Sequence, residues 1–96
     1  MTTNRKILVV EDERAMLDAL QEAFVLHGIP AIGAMDGREG LALALAERPE
    51  VILLDLLMPV MDGFTMLEEL RRDAWGKSVK VMVLTNFSSD EVRRRV

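Results

Sequence analysis

Four short apolar runs alternate along this chain with stretches whose apolar residues recur at helical spacing. The runs carry few charged residues and many β-branched side chains, as expected of strands that are buried on both faces of a sheet. They cover residues 6–10, 29–34, 51–55 and 79–85. Because a helical stretch follows each run, the order β-α-β-α-β-α-β-α predicts a parallel sheet with right-handed crossovers and helices on both faces.

The helical stretches are bounded by cap signals. Asp36 and Glu39 form a capping-box pattern before the second stretch, and Pro49 follows its end. Gly28 and Gly76 follow the first and third stretches, where glycine is a common helix stop. Helices are therefore predicted over residues 13–27, 37–47 and about 64–73, with a fourth beginning after Ser88.

Composition limits the function classes open to this chain. Its 96 residues predict one domain over residues 1–96, and half of them are apolar, which is enough for a core. A net charge of −4 gives no basic face for nucleic acid, and the absence of cysteine excludes disulfides and thiolate metal sites. No apolar run is long enough for a signal peptide or a membrane span, so the expected location is the cytoplasm.

Polar residues collect where the predicted strands end. Glu11 and Asp12 follow the first strand, Asp55 ends the third, and Thr85 with Asn86 ends the fourth. Each alone has a structural explanation, because an acid after a strand is often a helix cap and threonine is an ordinary strand residue. In a parallel sheet with crossover helices, however, the carboxyl ends of the strands form the functional crevice. Their convergence at one edge favours a functional site.

Three neighbouring carboxylates favour a bound cation, because they repel one another unless a proton or a metal ion joins them. No histidine or cysteine lies near them in the sequence, which disfavours zinc and copper. Oxygen ligands completed by water are typical of Mg²⁺, and Mg²⁺ pairs with phosphate. A carboxylate beside such an ion can attack a phosphoryl group and form an acyl phosphate.

In these motifs the chain resembles the receiver domain of two-component response regulators. The matching residues lie at spacings that are specific when taken jointly, and they are Glu11-Asp12, Asp55, Met58-Pro59, Gly63 and Thr85. The resemblance implies a flavodoxin-like doubly wound α/β fold with strand order 2-1-3-4-5. It also implies a phosphoryl acceptor and signalling module, which is not an enzyme acting on a separate substrate.

The resemblance assigns a role to each site residue. Asp55 would accept a phosphoryl group from a histidine kinase or a phosphotransfer protein. Asp12 and Asp55 would bind Mg²⁺, with Glu11 acting through water and the backbone carbonyl of Leu57 as a further ligand. Thr85 would act as the switch hydroxyl that contacts the phosphate. No contact with nucleic acid or membrane is expected of this domain.

The resemblance also predicts an incomplete domain. Receivers carry a lysine at the end of a fifth strand, and this sequence stops at Val96 within the predicted fourth helix. Lys77 and Lys80 precede or begin strand four, so neither can replace that lysine. We therefore expect a sheet of order 2-1-3-4, weak or absent phosphorylation-dependent switching, and self-association through the exposed edge of strand four. The alternative is that the sequence is a fragment of a longer chain.

Three further functions are compared with the signalling module. A phosphorylation-independent interaction or self-assembly domain would have no need of all three carboxylates. A haloacid-dehalogenase-like hydrolase would carry a second aspartate two residues after its nucleophile, where this chain has Leu57. A nucleotide-binding domain is disfavoured because no glycine-rich loop follows strand one.

Overall fold

The computed structural model describes residues 6–56, 58 and 60–84. Within these residues four strands alternate with three helices, as the sequence pattern predicts. In chain order the elements are β1 (Ile7–Val10), α1 (Arg14–Leu26), β2 (Ala31–Ala34), α2 (Gly37–Glu47), β3 (Val51–Leu54), α3 (Gly63–Leu70) and β4 (Lys80–Val83).

The four strands form one parallel sheet in the order β2-β1-β3-β4. This confirms the predicted order 2-1-3-4 and the doubly wound α/β class. The register brings the strand ends level, because Val10 pairs with both Ala34 and Leu54, and Leu54 pairs with Val83. Residues that follow these strands therefore meet along one edge of the sheet.

Each face of the sheet buries its own apolar cluster. On one face the fully buried Val10 and Leu54 pack with Met66 and Leu70 of α3 and with Ala44 of α2. On the other face Val9 and Leu53 pack beneath Leu17 of α1. Alternate strand residues thus point to opposite faces, which explains why the strands read as continuous apolar runs.

The second helix has the predicted bounds because its caps act locally. Asp36 accepts a hydrogen bond from the backbone N–H of Glu39 at 2.8 Å, and Arg48 ends the helix in the left-handed region with φ 45°. The Glu39 carboxylate accepts from the backbone N–H of Met35 at 2.9 Å, one residue earlier than in a standard capping box.

The third helix is shorter than predicted, since it ends at Leu70 and not near residue 73. The Arg71 guanidinium donates hydrogen bonds to the carbonyls of Gly76 and Val79, at 2.9 and 2.8 Å. The Asp73 carboxylate accepts from the backbone N–H groups of Trp75 and Gly76, both at 2.9 Å. These contacts stabilise a series of turns after Leu70, where the apolar spacing alone favoured further helix.

Candidate functional site

The acidic residues lie at the carboxyl edge of the sheet because the strand ladder places them there. The backbone N–H of Glu11 donates to the carbonyl of Ala34 at 2.9 Å, and that of Asp55 donates to the carbonyl of Val10 at 3.0 Å. The last backbone hydrogen bonds of the sheet therefore fix each residue just beyond its own strand. Asp12 follows Glu11 directly, before α1 begins.

These three side chains form one cluster. One carboxylate oxygen from each of Glu11, Asp12 and Asp55 lies within 4.8 Å of the other two. Glu11 and Asp55 are half-buried, whereas Asp12 is exposed. The cluster is thus open to solvent on the Asp12 side and backed by the sheet on the other.

The cluster raises the pKa of the Glu11 carboxyl group. Burial, a side-chain hydrogen bond to Asp55, and the negative charges of Asp55, Asp12 and Glu13 together raise the pKa of Glu11 from 4.5 to about 8. Each cause acts in the same direction, because each disfavours a further negative charge at this position. In the absence of a cation, Glu11 therefore holds a proton near neutral pH.

The donor set fits a hard divalent cation. Within the described residues, the buried Oε2 of Glu11 has no hydrogen-bond partner, so one polar atom of the cluster is unsatisfied. Three carboxylates supply oxygen ligands only, which suit Mg²⁺ better than zinc or copper. The one histidine, His27, caps the end of α1, with its Nδ1 2.9 Å from the carbonyl oxygen of Ala23.

Two predicted site residues lie outside the described residues. They are Leu57, the predicted carbonyl ligand, and Thr85, the predicted switch. Leu84, the residue before Thr85, donates its backbone N–H to the carbonyl of Leu54 at 2.7 Å. The end of β4 therefore lies beside the strand that precedes Asp55. Asn86 and the predicted fourth helix also fall outside the described residues.

The segment between β3 and α3 contains features that the sequence analysis missed. Val60 adopts a positive φ of 70°, which is rare for a β-branched residue. The backbone N–H of Gly37, at the start of α2, donates to the carbonyl of Met61 at 2.8 Å. The sequence repeats an Asp-Gly pair, Asp36-Gly37 and Asp62-Gly63, and in each pair the aspartate caps a helix and the glycine begins it. This repeat was the signal available in the sequence for the contact near the two helix starts.

Residues 7–96 of the chain match the model of a protein family described as "response regulator receiver domain". The chain belongs to this family. The match spans all the described elements, including the strand ends that carry the acidic cluster. No helix within the described part of this receiver domain is long and apolar enough to cross a membrane.

A response regulator of similar sequence supports the family assignment. The response regulator MprA of Mycolicibacterium vanbaalenii is 37% identical over 91 residues, which cover 95% of this chain and 38% of MprA. The chain thus spans less than half the length of that relative.

Solved structures show the same fold. A structure of the chemotaxis protein CheY4 of Vibrio cholerae has a TM-score of 0.88 and 31% identity, covering 97% of this chain and 78% of CheY4. The response regulator TrrA of Thermotoga maritima, solved in complex with Mg²⁺ and BeF, has a TM-score of 0.83 and 27% identity. The alignment covers 95% of this chain and 77% of TrrA.

Proposed function

We propose that this receiver domain accepts a phosphoryl group on Asp55 from a histidine kinase or a phosphotransfer protein. The observation that carries the proposal is the cluster itself, in which oxygens of Glu11, Asp12 and Asp55 lie within 4.8 Å of one another. Receiver domains of response regulators interact with such donors. The proposed location is the cytoplasm, where the domain meets its donor.

The transfer is written as a displacement at phosphorus. An Asp55 carboxylate oxygen forms the new bond to phosphorus while the bond from phosphorus to the donor histidine nitrogen breaks, and the electron pair of that bond stays on the imidazole. The product is an acyl phosphate on Asp55. No oxidant or reductant takes part.

We propose that Asp12 and Asp55 hold Mg²⁺, with Glu11 acting through water and the Leu57 carbonyl as a further ligand. The buried, partnerless Oε2 of Glu11 supports a cation at this edge. The solved complex of the relative TrrA with Mg²⁺ and BeF supports the same identity. When bound, Mg²⁺ supplies positive charge that offsets the repulsion between the carboxylates and the incoming phosphate.

Thr85 is proposed as the switch hydroxyl that responds to the phosphoryl group. It follows Leu84, whose backbone is hydrogen-bonded to the strand that precedes Asp55. Thr85 is thus the next residue in the sequence after one that is hydrogen-bonded to that strand.

Intact-mass measurement after incubation with Mg²⁺ and acetyl phosphate tests the proposal. We expect one phosphoryl adduct on the wild type and none on Asp55→Asn. Asp18→Asn is the matched control, because it makes the same change at an exposed residue of α1 outside the cluster, and it should form the adduct normally. An adduct on Asp55→Asn, or none on the wild type, contradicts the assignment.

A second candidate function is a phosphorylation-independent interaction or self-assembly domain. Its support is the apolar surface of β4, where Met82 is 54% exposed and Val83 is 43% exposed, on a strand at the edge of the described sheet. An unpaired edge with apolar side chains favours pairing with a second copy.

Light scattering over a range of concentrations tests self-association. Met82→Lys should shift the protein toward monomer, because it places a charge on that edge. Leu26→Lys, at a residue that is 76% exposed at the end of α1, is the matched control and should not. A wild type that stays monomeric at micromolar concentration excludes self-assembly through β4.

A further inference from the structure

The segment between β3 and α3 follows Asp55, the proposed phosphoryl acceptor. A backbone hydrogen bond is made near each of its ends. At its start, the carbonyl of Leu56 accepts a hydrogen bond from the backbone N–H of Gly63 at 2.9 Å. Near its end, the carbonyl of Met61 accepts from the backbone N–H of Gly37 at 2.8 Å. The first tether is local, whereas the second reaches a different element, the N-terminus of α2.

Both tethers depend on a glycine that the neighbouring backbone approaches closely. A Cβ atom added to Gly63 would overlap the carbonyl oxygen of Asp55 and the Cα of Leu56. A Cβ atom added to Gly37 would overlap the carbonyl oxygen of Met61. The atoms in the way belong to the backbone, so a side chain at either position requires the segment to move.

Helix geometry does not require a glycine at position 37. Among the described glycines only Gly28 has a positive φ, so the backbone of Gly37 would accept alanine. Alanine also has the higher helix propensity, and position 37 is the first residue of α2. The feature that excludes a side chain there is the contact with Met61.

The tethered segment contains a strained residue. Val60 has a φ of 70°, a conformation that β-branched residues rarely adopt, and its side chain is 71% exposed, so burial does not explain it. Strained backbone persists where the surrounding structure over-determines it. Val60 lies in the chain between Leu56 and Met61, whose carbonyls accept these two hydrogen bonds.

We propose that Gly37 is a positioning residue for the metal site. Through the Met61 carbonyl, the N-terminus of α2 fixes the start of α3, where Gly63 packs against the backbone of Asp55. The inference rests on the proposed function, in which Asp55 is a ligand of Mg²⁺. A displaced Met61 carbonyl would move the start of α3 and, through Gly63, the backbone of Asp55. Groups that orient ligands commonly change metal affinity by 10- to 100-fold when they are altered.

The test compares the Mg²⁺ affinity of Gly37→Ala with that of the wild type by isothermal titration calorimetry. We expect the variant to bind Mg²⁺ about tenfold more weakly. Gly28→Ala is the matched control, because a side chain at its φ of 76° strains the end of α1 while nothing lies within 4 Å of the added atom. That control should lose stability and keep the wild-type affinity. Equal affinities in Gly37→Ala and the wild type would overturn the inference.

Hydrogen exchange of the Gly37 amide tests the inference without any substitution, in case Gly37→Ala does not fold. If Mg²⁺ binds the tethered conformation, saturating Mg²⁺ should slow exchange of this amide, since coupling between two sites is reciprocal. Unchanged exchange would overturn the inference. A wild type that does not bind Mg²⁺ contradicts the proposed function as well, whereas normal binding with no response at Gly37 contradicts the positioning role alone.

Discussion

Glu11 hydrogen-bonds to Asp55 through its side chain at the carboxyl edge of the sheet. Two carboxyl groups can share such a bond only when one of them carries a proton, and the raised pKa assigns that proton to Glu11. Without a cation, such a proton reduces the repulsion between the two carboxyl groups. A divalent cation at the same oxygens would displace it.

The first prediction concerns the pH dependence of stability without metal. Because folding raises the pKa of Glu11 from 4.5 to about 8, the folded state binds this proton more tightly than the unfolded state does. The contribution of Glu11 to the free energy of unfolding is therefore fully present below pH 4.5 and is lost as the pH rises to about 8. Urea unfolding in EDTA should show stability falling across this window.

Glu11→Gln isolates that contribution. The variant cannot titrate at this position, so its stability should change less between about pH 5 and about pH 8 than that of the wild type. The difference between the two curves removes the effect of other titrating groups. Parallel curves for wild type and variant would show that Glu11 does not carry the effect.

The second prediction concerns Asp12. In EDTA, Asp12→Asn should raise the free energy of unfolding by up to about 1 kcal/mol, because it removes an exposed like charge from the cluster. With Mg²⁺ the order should reverse, since the variant loses a ligand and gains less stability from the ion. Thermal unfolding with and without Mg²⁺ measures both effects.

Asp18→Asn provides the control for Asp12. Asp18 is exposed on α1, 3.7 Å from Arg14 across one helical turn and outside the acidic cluster. Its substitution should leave the stabilisation by Mg²⁺ at the wild-type value. Equal loss of that stabilisation in both variants would mean that Mg²⁺ acts through general screening.

The third prediction concerns the turns between α3 and β4. Arg71→Met should lower the free energy of unfolding by about 2–3 kcal/mol, because it leaves the carbonyls of Gly76 and Val79 without their charged donor. Arg72→Met should cost less than about 1 kcal/mol, since it removes only an exposed ion pair with Glu69. Urea unfolding monitored by Trp75 fluorescence compares the two, and similar costs would refute the capping role of Arg71.

The fourth prediction concerns the cap of α2. Asp36→Ala should destabilise the protein by about 1 kcal/mol, because the N–H of Glu39 loses its acceptor. Asp36→Asn keeps an acceptor oxygen and should retain most of the wild-type stability. The comparison is made by thermal unfolding, and a cost shared equally by both variants would attribute the effect to charge.

Local signals predicted the elements well where local contacts decide them. The predicted bounds of α2, residues 37–47, agree with the structure because its caps are neighbours in sequence. The end of α3 was predicted wrongly, because Arg71 reaches Val79 across a turn that no helical spacing reveals.

The sequence by itself determined the alternating elements, the parallel sheet and the edge at which the acids lie, because apolar periodicity and strand direction are local properties of the chain. Only the tertiary structure decided how those acids interact. The level register sets Glu11 beside Asp55, and burial then raises the pKa of Glu11. The contact of Gly37 with Met61 likewise joins residues far apart in the chain, since it depends on how α2 packs beside the segment after β3.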